Sequence, residues 1–132
     1  MANEVTPVEG PYETHDFTVS TSVGIPKGTI CKLSDPRTAA ASSANSDVFA
    51  GIAATEFVAD KGKTEFGLHT KGVFLMTAGS GGFTVGALVS ISGANLLKNA
   101  TEAEVVTGDV VGKALETAAA GTTGEVKVGG NL

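Results

Sequence analysis

The chain has 132 residues, 18 of them glycine, a single cysteine, no tryptophan and a formal net charge of −5. This length suits one folding unit with a real core, because two separate cores would each be too small to fold alone. The lone Cys31 excludes an internal disulfide and a cysteine cluster for zinc or iron–sulfur chemistry. An acidic chain without a Lys/Arg cluster also lacks the footprint that neutralises phosphates, so no nucleic acid is expected as a partner.

Met1 to Gly10 is acidic and lacks the apolar stretch of a signal peptide, and no segment reaches membrane-spanning length. The product is expected to be made soluble in a cytoplasm, with no membrane partner. Met1 to His15 carries Pro7 and Pro11 with scattered Val5, Val8 and Tyr12, and shows neither helical nor strand periodicity. Residues 1–15 are expected to form an extended N-terminal arm, and 16–132 a single β-barrel domain.

From Asp16 to Ser22 apolar and polar residues alternate through Phe17 and Val19, as in a half-buried strand. Gly24 to Gly28 turns around Pro26, and Thr29 to Ser34 alternates again, with Ile30 and Leu33 offset as by a bulge. Asp35-Pro36 closes that strand. Thr38 to Ser46 has no large apolar residue and is expected to be a loop. Further strands are expected at Val48–Phe57, Thr64–His69, Gly72–Met76, Ala87–Ser92, Asn95–Ala100, Val110–Leu115 and Gly124–Val128, separated by turn signals such as Lys71-Gly72 and Gly108-Asp109. One helical turn is expected near Thr101 to Glu104, whose spacing is that of a capping box. Eight or nine short strands at this spacing imply an all-β fold, a small barrel or sandwich.

The two halves echo each other. Gly28 begins G-T-I-C-K-L-S, and Gly86 begins G-A-L-V-S-I-S; F-A-G-I-A from Phe49 is matched by V-V-G-K-A from Val110; T-E-F-G-L from Thr64 is matched by G-E-V-K-V from Gly124. The offsets are 58 for Gly28 to Gly86, 61 for Gly51 to Gly112 and 60 for Glu65 to Glu125. Each half reads as a unit unable to bury its own apolar face, so the two are expected to close on each other as a weak two-fold repeat. Gly51 and Gly112 then mark strand bends or close backbone approaches.

Little in the chain supports catalysis or ligand chemistry. Cys31 with His15 or His69 would make a nucleophile and base, but Cys31 lies in an alternating strand without a supporting motif. The two histidines lack metal-ligand spacing, and Gly79-Ser80-Gly81-Gly82 lacks the Lys and helix of a phosphate loop. Glu4, Glu9, Glu13, Asp16, Asp60, Glu65, Glu102, Glu104 and Asp109 are scattered and form no calcium loop, and paired carboxylates for sugar hydrolysis would lack aromatic platforms. Lys61 and Lys71 lie near turns but in no cofactor-attachment motif. No cofactor, no metal and no enzymatic activity are expected.

The segments P-x-G-T-I-x-x-L (Pro26 to Leu33), V-F-A-G-I-A (Val48 to Ala53), F-T-V-G-A-L-V (Phe83 to Val89), G-D-V-V-G-K-A-L (Gly108 to Leu115) and G-E-V-K-V (Gly124 to Val128) resemble the small Gly/Ala-rich decoration, or cement, proteins of phage heads. The resemblance spans about residues 24 to 128. It implies a small β-barrel or β-tulip-like body, commonly trimeric, on the outer surface of a tailed-phage capsid, where it would bind and bridge major capsid proteins. A virion location after synthesis in the host cytoplasm follows. The arm would contact the capsid through Val5, Pro7, Val8, Pro11, Tyr12 and Phe17 by adding a strand to an exposed sheet edge. On this view, removing the arm should weaken capsid binding and leave the body folded. Two other readings stand beside it: a stand-alone surface or carbohydrate-binding β-module, and a cofactor carrier of barrel-sandwich type suggested only by the element at Gly108.

Overall fold

The computed structural model describes residues 3–19 and 23–129. The end of the first expected strand, Ser20 to Ser22, lies outside them. The elements in chain order are β1 (Thr6–Val19), β2 (Ile30–Asp35), β3 (Thr38–Ala41), β4 (Phe49–Ala53), β5 (Glu65–Thr77), β6 (Leu88–Gly93), β7 (Leu96–Asn99), α1 (Glu102–Thr107), β8 (Val110–Ala114) and β9 (Thr123–Val128). The fold is all-β and barrel-like. One sheet runs β1-β3-β2-β4-β5-β9-β8-β6-β7, and β1 also pairs with β5. The strands β1, β3, β2, β4 and β5 therefore close into a ring. A parallel bridge from Ala78 to Leu97 ties the end of β5 to β7 and closes a second ring with β6, β8 and β9.

The sequence echo is a structural duplication carried residue by residue in the pairing registers. In the first half Cys31 pairs with Gly51 and Lys32 with Phe49, across a bulge. In the second half Val89 pairs with Gly112 and Ser90 with Val110, across the same bulge. The β2–β3 hairpin pairs Cys31 with Ala41 and Asp35 with Thr38, and β6–β7 pairs Val89 with Asn99 and Gly93 with Leu96. The constant step is 58 through these strands and 61 from β4 to β8, as the glycines suggested. For the last strand the register corrects the match: β4 pairs Ala53 with Leu68 and β8 pairs Ala114 with Val126, so Glu65 corresponds to Thr123 rather than to Glu125. Gly28 and Gly86 hold the same turn at φ 82° and 84°, a conformation open to glycine at little steric cost.

Gly51 and Gly112 are the close approaches. A Cβ at Gly51 would sit 2.7 Å from Leu68 Cβ, and one at Gly112 would overlap Lys127 O. The additional residues between β7 and β8 form α1. Its Thr101 side chain accepts from Glu104 N while Glu104 accepts from Thr101 N, the capping box expected, and Gly108 ends the helix in the left-handed region.

Two core clusters lie inside the two rings. Val19, Ile25, Cys31, Ala39, Ala50, Ala53, Phe57, Phe66 and Leu68 fill the first half. Their counterparts Ala78, Phe83, Val89, Leu97, Val111, Ala114, Ala118 and Val126 belong to the second cluster. Volume is exchanged between equivalent sites: the first half uses Ile25 with the Phe57–Phe66 pair, and the second uses Phe83 against Ala118 and Gly124. The second half regains part of that volume at other equivalent sites, with Val89 for Cys31, Leu97 for Ala39 and Val111 for Ala50.

Two expectations are corrected. Thr38 to Ser46 is not all loop: Thr38–Ala41 is β3, whose buried Ala39 holds the place of Leu97. A small side chain fills that position, so no large apolar residue announces the strand. Thr64–His69 and Gly72–Met76 are one strand, β5, that runs through Lys71-Gly72 with Gly72 at φ 136°.

Candidate functional site

The segment expected as an extended arm is extended and lies along its own sheet. β1 pairs antiparallel with β5 from Thr6 opposite Leu75 to Thr18 opposite Glu65, with register shifts between Pro7 and Thr14. The strand shows no break at residue 15. Backbone pairing drives it, and from Thr6 to Asp16 every residue is exposed, so no apolar alternation marks the strand in the sequence.

The six residues expected to contact a partner divide sharply. Val5 is 1% exposed in the larger core cluster and donates its N–H to Gly28 O at 3.0 Å, so its side chain is a packing group. Phe17 is half-buried against the first cluster, with the Arg37 guanidinium 5.6 Å from its ring centroid. Pro7, Val8, Pro11 and Tyr12 are exposed on β1, and the Gly10–Pro11 peptide is cis. Because Val5 belongs to the core, deletion of Met1 to Glu13 would remove a packing group as well as any contact, while Thr14 to Val19, which pair with β5 and β3, would stay in place.

Tyr12 is the fixed point of this face. Its ring lies 5.3 Å from His69 and 5.5 Å from Phe74, both tilted, and a Cβ at Gly72 would overlap it. His69 is held below its ordinary pKa by burial and by the Lys27 charge, and its Nδ1 lies 3.3 Å from Thr14 Oγ1. Glu13 lies between His15 Nε2 at 3.5 Å and Lys71 Nζ at 3.7 Å. The other edge of β1 pairs with β3 only at Thr18 and Val19, and the Asp16 carbonyl accepts from Arg37 Nε at 3.0 Å, so among the described residues the edge from Thr6 to His15 is open to strand addition. On the β5 side of β1 a small cleft of about 80 Å³ runs between Glu9, Gly10, Pro11 and Val73, Lys127, Val128.

The other candidate chemistry is not assembled. Cys31 is fully buried, and burial pushes its thiol up to about 12, so no thiolate forms near neutral pH. Among the described residues no group of three or more His, Cys, Asp or Glu could hold a metal ion. Gly79 to Gly82 is a turn packed on Ser92 and Ala118. A larger cleft of about 400 Å³, between Asp16, Glu56, Phe57, Lys61, Lys63 and Glu65, mixes both charge signs without a convergent pair. Among the described residues no helix is long and apolar enough to cross a membrane.

Two polar centres escaped the sequence reading. The Asn95 side chain accepts from Ile30 N at 2.8 Å and donates to Gly28 O at 3.1 Å, tying the β6–β7 hairpin of the second half into the first. The Glu104 carboxylate accepts from Ser46, from Ser90 Oγ at 3.1 Å, from Lys98 Nζ at 3.0 Å and from Thr101 N at 2.8 Å. Burial pushes Glu104 up, but these donors outweigh it and hold the carboxyl at about 2. The capping spacing marked Glu104 as a local helix group, and nothing local marked its partners across the chain.

Residues 10–130 match the family model described as phage cement protein. The chain belongs to the phage cement protein family. As a member of that family it is a phage capsid-associated protein, and a structural role follows from the family's name. Its fold is similar to that of the head fiber gp8.5 N base of bacteriophage phi29, with a TM-score of 0.56 at 14% identity over 90% of this chain and 95% of that one. At that identity the likeness is one of fold. No curated protein sequence matches the chain.

Proposed function

We propose that this cement protein decorates the outer surface of a tailed-phage head as a homotrimer and stabilises the shell by bridging major capsid proteins, without catalysis. The family match over nearly the whole chain carries the reading. The geometry gives it a mechanism. The open edge of β1 offers backbone groups for strand addition, with Val8 and Tyr12 as exposed apolar contacts beside it. Pro7 and Pro11 supply no N–H to that edge and blunt indiscriminate pairing between free copies. Many copies, each adding a modest interface across neighbouring subunits, would resist pressure through multivalency.

The test is a binding titration on undecorated phage heads with the chain and its Val8→Asp/Tyr12→Ala variant, both checked for the same folded circular-dichroism spectrum. A loss of about tenfold or more in affinity is expected, since removing one anchoring aromatic contact commonly costs more than 1 kcal/mol. Equal binding by the two proteins would remove β1 from the contact.

A further inference from the structure

The duplication leaves two outer faces at the register positions of the surfaces that meet inside the molecule. At the inner junction Ile30 and Ile52 of the first half pack in one cluster with Phe74, Ile91 and Val128 of the second. The polar border of this junction is made by the β3–β4 loop of the first half against the β6–β7 hairpin of the second. Ser46 N donates to Ile91 O at 3.0 Å, Asn45 bridges Ser92, and Ser42 Oγ donates to Gly93 O at 3.0 Å.

The register equivalence places each side of this junction once more on the surface. The counterpart of Ile91, fully buried, is Leu33, 40% exposed at the β2–β3 hairpin beside exposed Val48. The counterparts of Ile30 and Ile52 are Leu88 and Lys113, both half-buried on the second half. The β3–β4 loop, which docks on the hairpin inside, is replaced in the second half by α1, with Val105 44% and Val106 86% exposed. Four of the large apolar residues left in solvent thus fall on the two unmatched sides of one kind of junction, whose inner copy is closed.

We infer that the chain associates head-to-tail with copies of itself, the face around Leu88, Val105 and Val106 of one copy receiving the β2–β3 hairpin and Leu33 of the next. The occupant is a second copy because each exposed side is the counterpart of a surface whose mate is already present in the same chain. The contact is heterologous, with two different patches meeting, so it builds a ring when the rotation closes and a chain when it does not. This inference deepens the homotrimer part of the proposed function and rests on that reading.

The test uses the full chain in sedimentation equilibrium from micromolar to millimolar concentration, with Leu33→Asp and Val106→Asp made separately. Both positions are exposed, so the variants should keep the wild-type spectrum and melting temperature. The wild type should form assemblies, each variant alone should remain monomeric, and an equimolar mixture should form a one-to-one heterodimer, because each variant retains the patch that the other lacks. A monomeric wild type at every concentration, variants with wild-type mass, or a mixture that stays monomeric would each overturn the inference. The proposed function fails separately: a chain that assembles in this way and ignores phage heads contradicts the function alone, and one that decorates heads without assembling contradicts the inference alone.

Discussion

The two halves share one register and spend it differently. In the first half the hairpin residue Arg37, at φ 48°, lies exposed over Phe17, whereas its counterpart Asn95, at φ 57°, is buried and bonded across the junction. Leu33 faces solvent where Ile91 is fully buried, and His15 stands exposed where Phe74 is enclosed. Equivalent backbone positions therefore carry different side chains according to whether the neighbouring half is present. A duplicated fold fixes where a residue stands; the contact that covers it decides which residue can stand there.

The sharpest break of this comparison is at the paired glycines. Gly112→Ala should cost roughly 3 kcal/mol or more in urea unfolding, because its Cβ would overlap a backbone carbonyl, and Gly51→Ala should cost less, because its nearest neighbour, Leu68 Cβ, lies farther off at 2.7 Å. Equal losses would mean that the two close approaches are not distinct. Next in size is the hairpin pair: Asn95→Ala should lose about 2 kcal/mol by leaving Ile30 N and Gly28 O without their buried partner, while Arg37→Ala should change stability by about 0.5 kcal/mol or less. A larger loss at Arg37 would put the junction on the wrong side of the molecule.

Glu104 provides the third contrast, since only the second half has α1. Its carboxyl, ordinarily near 4.5, is held at about 2 in the folded protein. A depressed folded value stabilises above the unfolded pKa, so that contribution is present above about pH 4.5 and is lost as pH falls toward 2. Melting temperature should fall across that window, and Glu104→Gln should lower stability at pH 7 by about 2 kcal/mol, the linkage value reduced for solvent screening, while flattening the acid limb. An unchanged acid limb in the variant would assign the fall to other carboxylates. The smallest effect belongs to Cys31: with its thiol at about 12, alkylation of the native protein by iodoacetamide at pH 8 should be negligible until denaturant is added. Rapid labelling would show that the first core opens locally.

Where side chains alternate or repeat, the sequence disclosed the fold. The glycines at 28, 51, 86 and 112 announced the duplication, and Thr101 with Glu104 announced the helix start. Where backbone pairing does the binding, it was silent. β1 is exposed along most of its length and β3 is built on a single buried alanine, so neither carries a periodic apolar signal. The candidate face was legible as composition, in Val8, Pro11 and Tyr12, but its attachment to β5 runs from Thr6 opposite Leu75 to Thr18 opposite Glu65, and Val5 is buried through its place beside Gly28, none of them near in sequence. Asn95 lay hidden for the same reason: its partners at Ile30 and Gly28 belong to the other half.

The most direct measurement of the central claim is co-sedimentation of the purified protein with undecorated phage heads, counting bound copies per head at saturation. The account expects saturable binding at an integral number of copies per capsomer. Protein that stays in the supernatant with heads in excess would contradict it.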